Sequence, residues 1–109
     1  MHVTIRNLVL IIEMVILYST AHRNVRLALI TIVKEWDDLG EALGLPHPQI
    51  MIIKFNHPND VKQCLKEVVD RWFEGKGSDA PSWKSLCDAL KDPLVGRRDV
   101  ASNIEKKYL

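Results

Sequence analysis

From Val25 onward, apolar residues recur at the spacing of a helix rather than a strand. Val25–Val33 (VRLALITIV) is nearly all apolar. It predicts a helix buried on most sides, although its Ile/Thr/Val end would also suit a strand. Trp36, Leu39, Gly40 and Leu43 then mark one face of a second helix, with Asp37, Asp38 and Glu41 on the other. Those acids fall in the first turns, where the helix dipole favours them. Gly44 stands where a left-handed cap ends a helix, and Pro46 forbids continuation. A short third helix is expected from near Pro48, carrying Ile50 and Ile53 inward and ending by Asn56-His57-Pro58.

The fourth stripe is the longest. Val61, Cys64, Leu65, Val68, Val69, Trp72 and Phe73 hold helical register throughout. Asn59 or Asp60 is placed to cap its start, and Gly75 and Gly77 end it. Lys62 and Lys66 lie one turn apart off this stripe, so they present together. After a polar loop, Gly75–Ala80, Pro81 opens a fifth helix with Trp83, Leu86, Cys87 and Leu90 on one face. Pro93 stops it and Gly96 turns the chain. A sixth helix carries Val100, Ala101, Ile104 and Tyr108 inward, with Arg97 and Arg98 at its start. Weak strand signals at Val3–Ile5 and Gln49–Ile53 have no tight hairpin turn between them. Six helices with short connections predict a compact antiparallel all-α bundle. Its expected core is Trp36, Leu39, Leu43, Ile50, Ile53, Leu65, Val68, Trp72, Trp83, Leu86, Leu90 and Ile104.

Residues 1–21 stand apart as an unassigned apolar segment, with the domain itself expected over 22–109. Leu8–Tyr18 (LVLIIEMVILY) is broken by Glu13 and is shorter than the roughly 20 apolar residues a spanning helix takes. Glu13 also interrupts what would be the apolar centre of a signal peptide. Membrane contact by residues 1–21 is therefore not the favoured reading. A helix packed on the domain or on a partner is, or the trimmed end of a longer protein.

Composition narrows the function classes. A chain of 109 residues, 47% hydrophobic and 27% charged, is enough for one folded domain. A net charge of +1 argues against a surface devoted to neutralising phosphates. A nucleic-acid-binding reading would rest on Arg97, Arg98, Lys106 and Lys107, and the acidic second helix opposes it. Two cysteines on apolar faces point to a reduced, intracellular protein and small hydrophobes rather than a redox pair. Cys64 and Cys87 lack the paired spacing of a zinc site. His22, His47 and His57 fall at expected helix boundaries and His2 at the terminus, where turn or surface roles suit them better than base or ligand roles. Tryptophans at helical spacing read as core rather than as a ligand box. No nucleophile, base and orienting group converge, and no glycine-rich phosphate loop occurs. No enzyme activity, cofactor, metal site or small-molecule substrate is expected.

The order of these pieces resembles one family. Trp36-x-x-Leu39-Gly40-x-x-Leu43-Gly44-Leu45 is followed by Ile50, Ile53, Asp60-x-x-x-Cys64-Leu65 and Trp72. Then come Pro81-Ser82-Trp83-x-x-Leu86-x-x-Ala89-Leu90, Pro93-Leu94-Val95-Gly96 and Val100-Ala101-x-x-Ile104. This resembles a death domain over about residues 22–109. The resemblance implies a six-helix antiparallel Greek-key bundle that binds other death-domain proteins, homotypically or heterotypically. Such modules assemble signalling platforms in the cytoplasm, in apoptotic or innate-immune-type signalling. No effector module follows Leu109, which reads as a bare adaptor or a piece of a larger protein, such as the cytoplasmic end of a membrane receptor. The family's first helix usually alternates apolar and charged positions, whereas Leu27–Val33 here has no charge.

Charge suggests where contacts form. Lys34–Asp60 holds two basic and five acidic residues, and Lys84–Leu109 six basic and four acidic. In a death domain the second and fourth helices contribute to different contact surfaces. The resemblance thus implies that Asp37, Asp38 and Glu41 meet Lys62 and Lys66 across copies or partners. Arg97 and Arg98 form a third candidate group.

Overall fold

A computed structural model of the chain describes residues 18–109. The expectations for Val3–Ile5 and for all but the end of Leu8–Tyr18 lie outside the described residues. Helix α1 covers 18–28 of the described chain, and a 3-10 segment, Ile30–Glu35, follows it. Then come α2 (Trp36–Ala42), α3 (His47–Asn56), α4 (Val61–Phe73), α5 (Trp83–Lys91) and α6 (Arg98–Tyr108). There is no strand among the described residues, and Gln49–Ile53 lies within α3.

The first helix differs from expectation in two ways. It runs unbroken from residue 18 through position 22, and it stops at 28 rather than continuing to Val33. Ile30-Thr31-Ile32-Val33 is a run of β-branched residues, whose restricted χ1 disfavours α-helix. The chain there tightens into the 3-10 segment, and Ile32 (φ −122°, ψ 25°) leaves helical geometry altogether. Nor is this stretch buried on most sides. Val25, Leu29 and Ile32 enter the core, while Leu27 and Ile30 are exposed.

The ends of the other helices follow from local chemistry. Gly44, Gly75 and Gly96 take left-handed φ values of 86°, 85° and 65° and turn the chain after α2, α4 and α5. Asp60 caps α4 by accepting from Gln63 N at 3.0 Å. Ser82, not Pro81, marks the start of α5, as the cap ahead of Trp83. Its Oγ accepts from Ser85 N, and Ser85 Oγ accepts from Ser82 N, a reciprocal capping box.

One core joins all the elements. Trp36, Leu39, Leu43, Ile50, Ile53, Leu65, Val68, Trp72, Leu86, Leu90 and Ile104 are all buried in it. Trp83 is only half-buried. It stands in the first turn of α5 and stacks on Tyr108 near the end of α6, with centroids 3.9 Å apart. α5 and α6 make the most extensive helix pair, and α2 touches α3, α4 and α5. The result is the six-helix, all-α bundle.

Candidate interaction surface

Helix α4 is the divider of the molecule. Its Lys62 and Asp70 edge faces α1, and its Glu67 and Arg71 edge faces α3. On the α1 side, the His22 ring donates from Nε2 to Asp70 Oδ1 at 2.5 Å, and Lys66 Nζ lies 3.5 Å from Asp70 Oδ2. Phe73 covers this pair, 5.4 Å from the His22 ring and 5.3 Å from Tyr18. On the α3 side, His57 Nε2 donates to Glu67 Oε1 at 2.9 Å, and Arg71 donates to Gln49 Oε1 at 3.0 Å.

His22 is thus a corrected expectation. It is 5% exposed and lies inside α1, not at a boundary or on the surface. The helix begins earlier than the apolar run suggests, which puts position 22 on its inward face. A buried polar ring needs a partner, and Asp70 supplies it. His47 does lie at a helix start, bonded to Glu41 Oε1 at 3.1 Å.

Between α1, the 3-10 segment and α4 lies a cleft of about 330 Å³. Leu27, Ile30, Val33 and Leu65 form its apolar part, and Arg23, Arg26 and Lys62 supply cations. Among the described residues, none of these three cations has a carboxylate within salt-bridge distance. Arg26 Nε is buried and has no hydrogen-bond acceptor among the described residues. A buried donor without an acceptor is costly, so this surface is suited to an incoming anionic group. Of the two expected lysines, Lys62 belongs to this cleft, while Lys66 is engaged by Asp70. Arg23 and Arg26 did not figure among the expected contact residues. Read from a helix that starts earlier, Arg23, Arg26, Leu27 and Ile30 follow i, i+3, i+4, i+7, and that spacing is the signal.

Of the acidic residues of α2, Asp37 and Asp38 have no cation within salt-bridge distance among the described residues, and Glu41 is met by His47. Glu41 is exposed at the end of α2, and Asp37 and Asp38 are half-buried in its first turn. Asp37 Oδ1 accepts from Asp38 N at 2.9 Å. Desolvation, and then the charges of Asp37, Glu41 and Glu35, push the Asp38 carboxyl above its ordinary value. A carboxylate raised by like charges is one that a cation from outside would relieve. The Glu41–His47 bond places this face beside the start of α3.

Arg97 and Arg98 separate. Arg97 donates from Nε and an η-nitrogen to Asp99, both at 3.0 Å, and reaches Glu35 at 3.4 Å. It ties the start of α6 to the end of the 3-10 segment and is occupied within the fold. Arg98 is exposed. Cys64 and Cys87 are buried, and burial raises both thiols above their ordinary pKa, which keeps them protonated and unreactive.

No helix of the described residues is long and apolar enough to cross a membrane. Compared with known proteins, the chain matches the family model described as Death domain over residues 26–108. Neither curated proteins nor solved structures give a match.

Proposed function

The chain belongs to the death-domain family, a family of non-catalytic protein-interaction modules in signalling, and from that premise we propose that it assembles signalling complexes by pairing charged faces with other death domains. The acidic face of α2 (Asp37, Asp38, Glu41) is one half of the contact. The other half is the cationic cleft between α1 and α4, where Lys62 is joined by Arg23 and Arg26. The carrying observation is that the cleft's cations have no carboxylate partner among the described residues while Asp38 sits among like charges. Complementary charge of this kind sets register and speeds encounter more than it adds affinity. One contact is weak, about 0–1 kcal/mol per exposed ion pair. Repetition around an assembly makes the sum decisive.

The setting that best fits the family is apoptotic or innate-immune-type signalling in the cytoplasm. The test is direct binding of the full chain to a panel of purified death domains, measured across a salt series. The expected result is binding to at least one member that weakens as salt rises. Absence of binding to every member at low salt, or binding indifferent to salt, contradicts the charge-pairing mechanism.

A further inference from the structure

The cleft between α1, the 3-10 segment and α4 is lined by two kinds of side chain, cations and aliphatic groups. Among the described residues, no hydroxyl, amide or carboxylate side chain lines it. A peptide laid there buries amide groups with no side-chain partner, which is costly. An alkyl chain carries no such groups and gains from covering Leu27 (53% exposed) and Ile30 (59%). The cations decide what the tail is attached to. Arg26 Nε is buried and lacks an acceptor among the described residues. The edge of a guanidinium that carries Nε takes two oxygens of one oxyanion at once. A carboxylate brings a single charge to Arg23, Arg26 and Lys62. A phosphate monoester brings about −1.5 to −2 at neutral pH, with three acceptor oxygens. At about 330 Å³ the cleft stands at the small end of ligand sites, which suits one aliphatic chain and not two.

We propose that this cleft binds a phosphate monoester of a single aliphatic chain, a monoalkyl or monoacyl lipid phosphate, with the phosphate on Arg23, Arg26 and Lys62 and the tail on Leu27 and Ile30. The cleft once filled cannot receive carboxylates from another death domain, because the same cations are already satisfied. The ligand therefore holds the chain out of assembly. That consequence rests on the charge-pairing reading and adds its regulation, whereas the binding of the ligand does not depend on it.

Isothermal titration calorimetry of the full chain with n-octyl phosphate, kept below the concentration at which it forms micelles, tests this. Inorganic phosphate serves as the probe without a tail and octyl glucoside as the probe without charge. Octyl phosphate is expected at one site, at least about tenfold tighter than inorganic phosphate, with octyl glucoside unbound. Arg23→Gln and Lys62→Gln, both at exposed positions, should each weaken octyl phosphate about tenfold while circular dichroism stays unchanged. Ile30→Ser should weaken octyl phosphate and leave inorganic phosphate as it was. Added to a death domain that the chain binds, octyl phosphate should displace it. A chain that does not bind octyl phosphate overturns the proposal, even if it pairs with other death domains. So does binding that Arg23→Gln and Lys62→Gln leave untouched. Equal affinity for octyl and inorganic phosphate overturns the tail, and a phosphoserine peptide that binds more tightly than octyl phosphate overturns the lipid class. Octyl phosphate that binds while association with the other death domain persists overturns the regulation.

Discussion

Gly44 and Gly75 share nearly the same backbone, φ +86° and +85°, in different surroundings. Alanine at either position takes on left-handed strain, about 1–2 kcal/mol. At Gly75 nothing lies within 4 Å of the added Cβ, so strain is the whole cost. At Gly44 the Cβ meets Ser78, with the backbone nitrogen at 2.5 Å and Oγ closer still. Oγ can rotate away, but the nitrogen cannot, because it donates to Leu43 O at 3.0 Å and holds the loop onto the end of α2. Overpacking against backbone adds about 1–3 kcal/mol. Loosening that hydrogen bond adds about 1 kcal/mol more. Gly44→Ala is therefore expected to lose roughly 3–6 kcal/mol and Gly75→Ala about 1–2 kcal/mol. Urea unfolding of both variants gives the two values, and hydrogen exchange at the Ser78 amide reports the loop directly. Equal losses, or an unchanged Ser78 amide in Gly44→Ala, would refute the idea that close packing of the loop sets the cost.

Trp72→Ala should destabilise by ~3–5 kcal/mol in the same assay, since Trp72 is buried at the end of the longest apolar stripe; a loss under about 1 kcal/mol would mean that it anchors nothing. Arg97→Ala should lower the melting temperature and leave association unchanged, because its partners are Asp99 and Glu35 of the same chain. Lost association with unchanged stability would place Arg97 in the contact instead. Asp38 carries a folded-state pKa raised by desolvation and by Asp37, Glu41 and Glu35, so its ionised form opposes folding at neutral pH. Asp38→Asn should thus be more stable than the parent at neutral pH, and the gap should close as acid protonates Asp38. A gap that widens in acid would reverse the sign of the electrostatics.

The periodic stripes of α2, α4, α5 and α6 are legible because each has one apolar face, and α2, α4 and α5 also have a clear stop: Gly44, Gly75 and Pro93. What the stripes did not show was the start of α1. Its apolar run continues upstream into another apolar run, so periodicity offers no boundary, and a helix counted from Val25 leaves out His22 and Arg23. The same blindness hid the cleft, which exists only when Arg23, Arg26, Leu27 and Ile30 share a face. Helix α3 was read for what it buries. Met51, Ile52 and Phe55 are exposed among the described residues, which spacing alone does not reveal, because an apolar residue on a short helix looks like core. Among charges, sequence spacing identified the groups but not their occupancy. Lys66 and Arg97 are held by Asp70, Asp99 and Glu35, contacts made with the neighbouring turn or across the fold.

The pairing of α2 acids with cleft cations is open to a charge-swap experiment on association. Asp37→Lys/Asp38→Lys in one chain should abolish binding to an unmodified copy or partner without lowering thermal stability. Arg23→Glu/Lys62→Glu should do the same from the cleft side. Mixing the two reversed chains should restore association, since each then offers the charge the other lacks. If the acid-reversed chain associates as well as the parent, or if the mixture recovers nothing, then Asp37, Asp38 and Glu41 are a solvated helix face and the contact lies elsewhere.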